Sequence, residues 1–268
     1  MMKHTFTNTR SALKWALTIV IILLTTHAYS QQQPIPLPDL ITDRPDQTES
    51  AFTVPARSIQ VESGLYFEKA RDGEAVSTYT AYPATLIRVG IISWLELRAE
   101  GSYQNLTVED ETSTQVKGFG PLTVGAKVKL WEEEGLRPQA AFMTMVDLPI
   151  GDEAFTPENP EPSLRLLFKN SLSEKMDLSY NLAYGWEGGK AVKSYSASIG
   201  AGISDKLGIF GEVFGDKTNG EKAVHCVDAG LTFVLFPNFQ MDLAAGTSIK
   251  SSTPDYFVTT GLSIRLPR

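Results

Sequence analysis

From Ser58 to the end of the chain, hydrophobic and polar positions alternate with a period of two almost everywhere. That is the pattern of strands whose two faces meet different surroundings. Leu95, Leu97, Ala99, Gly101 and Tyr103 form one face of a segment, and Glu96, Arg98, Glu100, Ser102 and Gln104 form the other. Leu122, Val124, Ala126, Val128 and Leu130 alternate in the same way with Thr123, Gly125, Lys127, Lys129 and Trp131. The pattern predicts about twelve strands. They cover roughly 58–68, 79–92, 95–105, 120–131, 137–148, 163–172, 176–186, 191–203, 207–215, 224–235, 239–249 and 256–266. No stretch after residue 30 has a helical period. Most segments run ~10–12 residues, well above the ~5–6 of a soluble strand and close to the ~9–11 of a tilted transmembrane strand.

The connections alternate too. Short ones (Ser93-Trp94, 132–136, 173–175, 204–206 and 236–238) take turns with longer ones (69–78, 106–119, 149–162, 187–190, 216–223 and 250–255). Outer-membrane barrels have short periplasmic turns and longer outside loops.

Alternation alone also fits a soluble β-protein, which would bury the apolar face. Charge placement separates the two. The strand charges fall on the polar face, and the apolar face is almost free of them, apart from Lys193 at a loop edge. A lipid-facing Arg or Lys at mid-bilayer costs ~2–4 kcal/mol, a large part of the ~5–15 kcal/mol that holds a typical protein folded. Aromatic residues gather at both ends of the segments: Trp94, Trp131, Phe236 and Phe239 at one, Tyr103, Trp186, Tyr195 and Tyr256 at the other. Both membrane interfaces favour such girdles. The expected fold is all-β: an antiparallel, up-and-down transmembrane β-barrel of about twelve strands, preceded by a signal peptide. The residues expected to line its lumen are Glu62, Arg88, Glu96, Arg98, Glu100, Lys127, Lys129, Asp147, Arg165, Asp228, Asp242 and Arg265.

The start of the chain reads as an address. Lys3, Arg10 and Lys14 precede an apolar run from Trp15 to Leu24, and Ala28 and Ser30 supply the small residues of a cleavage site. The expected organisation is a signal peptide over 1–30, a polar segment over 31–57 and the barrel over 58–268. Cleavage after Ser30 would remove three of 24 Lys and Arg and none of 31 Asp and Glu, moving the net charge from -7 to -10. An acidic chain is no generic nucleic-acid binder. A single cysteine, Cys226, excludes a disulfide framework. No metal-ligand spacing or phosphate-binding loop occurs, so no cofactor is expected.

The segment Ile41-Thr42-Asp43-Arg44-Pro45-Asp46-Gln47-Thr48-Glu49-Ser50 resembles the opening signature of a bacterial outer-membrane family labelled "MetA-pathway of phenol degradation". The resemblance continues through Val54-Pro55, 59–64, 227–232, 237–242 and 261–265, nearly the whole chain after residue 30. It implies a barrel in the cell outer membrane that moves small, including aromatic, molecules. The chain ends Leu266-Pro267-Arg268, without the terminal aromatic common among such barrels.

Three readings follow. In the first, the barrel is a pore or transporter with a narrow charged lumen, its partners outer-membrane lipid and a small solute. In the second, the lumen charges pair with one another and the barrel is a non-conducting structural or binding body. In either case Thr42, Asp43, Arg44, Pro45, Asp46 and Glu49 stand outside any strand pattern, and their charges suit either a plug or latch pairing with the wall or an ordered, capped turn that only closes the barrel end. The third is an outer-membrane lipid hydrolase, which needs a nucleophile and a base. The one histidine after residue 30, His225, falls by parity on the lipid side, and Cys226 beside it points the other way. That argues against an enzyme.

Overall fold

The computed structural model describes residues 38–249 and 254–267. The expected signal peptide lies outside the described residues. Thirteen strands form one antiparallel sheet: β1 (Ile59–Asp72), β2 (Ala75–Ile92), β3 (Leu95–Glu109), β4 (Ser113–Phe119), β5 (Leu122–Trp131), β6 (Gln139–Leu148), β7 (Glu161–Ser171), β8 (Met176–Glu187), β9 (Lys190–Gly202), β10 (Leu207–Thr218), β11 (Val224–Phe236), β12 (Phe239–Ser248) and β13 (Tyr256–Leu266). Each strand from β5 onward pairs with the next. β13 returns to β1, and β2 pairs with both β1 and β3, which closes the sheet on itself.

Two strands share one stave. β4 pairs with the Tyr103–Glu109 half of β3, and β5 with its Leu95–Glu100 half. The break falls at Gly120-Pro121, where proline has no N–H for the ladder. The loop after β6 folds onto the break. The Asp152 carboxylate accepts the Phe119 N–H, and the Ile150 carbonyl accepts the Leu122 N–H at 2.9 Å. The thirteen strands therefore make a twelve-stave barrel, the count the alternation predicts.

The faces divide as the charge pattern predicts. Leu182 is 57% exposed, Ile199 50% and Leu97 47%, whereas Glu62, Arg88, Glu96 and Lys127 are 0% exposed. A globular core is thus inverted: greasy residues outside, ions inside. Closure also satisfies the main chain without a free edge, as a membrane-spanning sheet requires.

Three details differ from the sequence reading. The hairpins at 69–78 and 187–190 are not loops: β1 runs to Asp72, β9 begins at Lys190, and only Gly73-Glu74 and Gly188-Gly189 turn the chain. Positive φ at Gly73, Gly188 and Gly189 permits these tight turns. Most of 106–119 is also strand, the hairpin of β3 and β4. The β1, β2 and β3 ladder simply continues past the apolar band, which a period-two count cannot bound. Finally, Trp131 leaves the polar face. A bulge between Lys129 and Trp131 shifts the register, so that Trp131 pairs with Ala140 and is 41% exposed, its indole N–H donating to the Pro138 carbonyl at 2.8 Å.

Candidate functional site

The site is built where the chain first enters the barrel. Residues 39–57 form no strand. They lie within the lumen, at the end that carries the strand termini and the β11–β12 turn. Their polar groups meet inward-facing residues from ten of the twelve staves.

Asp43 is the centre. Its carboxylate lies 2.6 Å from Arg98 Nη1, 2.9 Å from Lys127 Nζ and 3.2 Å from Arg88 Nη1, and its other oxygen accepts the Ser50 N–H at 2.9 Å. Burial opposes its ionisation, but the charges of Arg88, Lys127 and Arg98 together hold its pKa well below the usual carboxylate range. The cations are held in turn by wall carboxylates. Arg88 reaches Glu62 at 2.9 Å and Glu96 at 2.8 Å, and Arg98 reaches Glu96 at 3.1 Å. Glu62 accepts the main-chain N–H groups of Asp43 (2.9 Å) and Arg44 (3.0 Å), and Glu96 accepts that of Val54 (2.7 Å). The wall thus binds the segment through its backbone as well as its side chains.

Arg44 points the other way around the barrel. It reaches Asp242 at 2.9 Å and Thr259 Oγ1 at 2.9 Å. Two glycines make its slot: a Cβ on Gly64 would lie 2.5 Å from Arg44 Nη2, and one on Gly261 2.6 Å from its Nε. Glu49 pairs with Arg98 at 2.8 Å, Lys127 at 3.7 Å and Arg165 at 4.0 Å. Burial is the main force that pushes its pKa up to about 7. Glu212 accepts the Gln47 N–H at 2.8 Å and the Thr48 hydroxyl. Asp46 faces the same side, and its pKa is raised by burial first and by Glu212 next. Pro45 is buried, and Thr42 accepts from the Gln240 amide at 2.8 Å.

The other expected lumen residues spread along the barrel. Arg265 donates to the Asp39 carbonyl at 3.0 Å. Lys129 pairs with Glu132 at the turn end (2.6 Å) and stands outside the network. Asp228 is buried opposite Glu212 in the β10–β11 ladder. Asp147 accepts the Thr123 hydroxyl at 2.5 Å. Glu100 lines a cavity over the segment. Charge alone does not find the neutral holders of the segment. Gln60 donates to the Ile41 carbonyl at 2.9 Å and Gln139 to the Ala51 carbonyl at 3.2 Å. The Asn181 amide, oriented as its partners require, accepts the Glu49 N–H at 2.7 Å and donates to the Glu49 carbonyl at 3.2 Å. Their only signal in the sequence is a place on the polar face. An apolar clasp adds to them: Ala51 packs with Ala141, Met143, Met145 and Leu167, a buried cluster on the inner wall.

Space remains on both sides of the segment. A cavity of ≈ 200 Å³ is lined by Gln47, Arg165, Asn181, Ser196 and Phe214, toward the hairpin end. Another of ≈ 350 Å³ is lined by Thr42, Asp46, Phe52, Lys169 and Gln240, toward the opposite end. On the hairpin side the inner wall is aromatic. Tyr66 stacks on Phe257 (5.9 Å) and meets Tyr79 edge-on (6.1 Å), and Phe214 meets Phe257 at 5.9 Å.

Comparison with known proteins agrees with this architecture. The sequence profile of the family described as "Putative MetA-pathway of phenol degradation" matches residues 42–266. No curated protein matches the sequence. Among solved structures, the chain is similar to the NanC porin (TM-score 0.50, 7% identity, covering 77% of this chain and 98% of that one). It is also similar to the translocator domain of the autotransporter NalP from Neisseria meningitidis (TM-score 0.53, 10% identity, 78% and 88% covered). At these identities the likeness is one of fold. With its apolar outer wall and closed ladder, the chain is an outer-membrane β-barrel.

Proposed function

This chain belongs to the family described as "Putative MetA-pathway of phenol degradation", and on that premise we propose that it passes small, apolar or aromatic solutes across the outer membrane. Residues 39–57 act in this reading as a plug that closes the periplasmic half of the lumen. The observation that carries it is Asp43, one carboxylate on a strandless segment held by three cations of the wall. A segment needed only to complete a barrel end would not require a counter-charge set buried across the lumen. The aromatic inner wall of Tyr66, Tyr79, Phe214 and Phe257 supports the solute class. Polar donors few and fixed among apolar surface are usual in small-molecule passages. Transport rather than catalysis fits the placement of His225, which is exposed on the outer wall and hydrogen-bonded to Tyr195.

Single-channel recording of the refolded barrel, before and after removal of residues 31–50, tests this. The expected result is a nearly silent intact protein and steady conductance after removal, blocked in part by small aromatic solutes. Equal conductance in both forms overturns the plug. Silence in both, from barrels that keep their heat-modifiable gel mobility, overturns the pore and favours a charge-filled structural barrel.

A further inference from the structure

The outer wall carries one feature that a lipid-facing surface ordinarily avoids. Lys193 on β9 and Lys217 on β10 are directly opposed in the ladder, and both are exposed on the outward face. Like charges set across a strand pair repel. Glu221, a carboxylate at this rim, is taken by Lys190 at 2.8 Å, and Lys217 donates to the Glu221 main-chain carbonyl.

One step down the same face, Tyr195 and His225 meet across β10, Tyr195 Oη lying 3.0 Å from His225 Nδ1. Gly215 between them makes this contact possible: a Cβ there would lie 2.8 Å from His225 Nδ1. Two cations, an imidazole and a phenol therefore share one patch. Charged groups that face away from it are Asp216 and Glu187, by strand parity on the lumen side. Further charges at this rim are Lys222 in the neighbouring turn, the Lys190–Glu221 pair, and Glu161, which accepts the Gly189 N–H at 3.1 Å.

The depth of the patch fixes its surroundings. Lys193 pairs with Tyr184, and its neighbour Ala191 with Trp186, so the lysine sits within the aromatic girdle. Ten residues separate it from Ile203, just past the opposite end of β9. At ~3.3 Å per residue and a ~40° tilt that is about 25 Å, the height of the apolar band. The patch lies at the headgroup level of the outer leaflet.

We propose that Lys193, Lys217 and His225, with Tyr195, form a binding site for the phosphorylated headgroup of an outer-leaflet lipid. The lipid's acyl chains lie along the apolar wall of Leu182, Ile199 and Ile209 below. Two lysines that would repel each other in a bare barrel are satisfied by one dianionic phosphate between them, and long lysine stems reach up to the headgroup while covering apolar surface.

The test uses the full barrel in micelles titrated with bisphosphorylated lipid A, with dephosphorylated lipid A and with inorganic phosphate, binding read by native mass spectrometry. The bisphosphorylated lipid should bind, and the dephosphorylated lipid and inorganic phosphate should not. Lys193→Ala/Lys217→Ala should weaken lipid binding by about ten- to thirtyfold, the effect of two near-surface lysines. Lys193→Arg/Lys217→Arg should restore it. Heat-modifiable gel mobility serves as the folding control, and neither lysine lines the lumen. Equal binding by the alanine variant, or equal binding of the dephosphorylated lipid, overturns the site. Competition by inorganic phosphate alone would show a simple anion site and overturn the lipid.

Discussion

At the scale of residues, the argument turns on Asp43. Removing one member of a buried ion group leaves the others unpaired in a low dielectric, which costs about 3–5 kcal/mol. Asp43→Asn leaves Arg88 and Arg98 with Glu62, Glu96 and Glu49, but it strips Lys127 of its closest anion, leaving Glu49 at 3.7 Å. The variant should weaken docking of the segment by that amount, seen as faster proteolysis between residues 39 and 57 in a barrel that stays folded. Glu132→Gln breaks the exposed Lys129–Glu132 pair and should change stability by less than about 1 kcal/mol. A second prediction concerns Gly64. A side chain there would press on the Thr260 carbonyl of β13 as well as on Arg44, so Gly64→Val should push the guanidinium off Asp242 and raise conductance without any change in charge. Unchanged conductance in a folded Gly64→Val barrel would separate the Arg44 contact from closure. These residues were unequally legible. Asp43, Arg44 and Glu49 stand out in a sequence because charges in a strandless segment need an explanation. Gly64 and Gly261 do not, because a slot is made jointly by two strands far apart in the chain.

At the scale of elements, period-two alternation carries most of the fold. It sorts the side chains into two faces before any contact is known, charge placement says which face meets lipid, and one pair of substitutions tests that assignment. Leu182 and Ala183 are neighbours on β8, one exposed to the outside and one lining a lumen cavity beside Arg165. Leu182→Lys should destabilise the barrel in lipid by about 2–4 kcal/mol, and Ala183→Lys by a fraction of that, as measured by reversible urea unfolding in vesicles. A larger loss for Ala183→Lys than for Leu182→Lys would mean that the faces are reversed, and equal losses would overturn the lipid–lumen division. Alternation fails where the physics that sets it changes. Beyond the membrane, strand and loop share one polar composition, so the extended hairpins of β1, β2 and β3 look like loops. At Lys129–Trp131 a single bulged residue flips parity, and no local composition announces it. β6 alternates less cleanly for a packing reason: Ala141, Met143 and Met145, with Leu167 of β7, turn an apolar patch inward against Ala51.

At the scale of the whole molecule, three carboxyl groups on the segment decide how docking responds to pH. Glu49 has its pKa raised from 4.5 to about 7 in the docked state, by burial and against the pull of Arg98, Lys127 and Arg165. A carboxyl group that holds its proton more tightly when docked stabilises docking fully below its ordinary value, and that contribution is lost as pH rises through about 7. Asp46, raised by burial and by Glu212, acts with the same sign. Asp43 acts with the opposite sign: its lowered pKa contributes stability that is present above 3.8 and lost only as pH falls below it. Between pH 5 and pH 8 Asp43 stays ionised throughout, and Glu49, pushed up to about 7, is the segment carboxyl that titrates. Docking therefore weakens across that interval, and the conductance of the intact protein should rise from pH 5 to pH 8 with a midpoint near 7. Glu49→Gln, which keeps the shape and removes the proton, should flatten that part of the rise, while the form lacking residues 31–50 should conduct independently of pH over the same interval. A conductance that falls with pH, or a rise that survives in the shortened form, would place the titrating group on the wall instead of the segment.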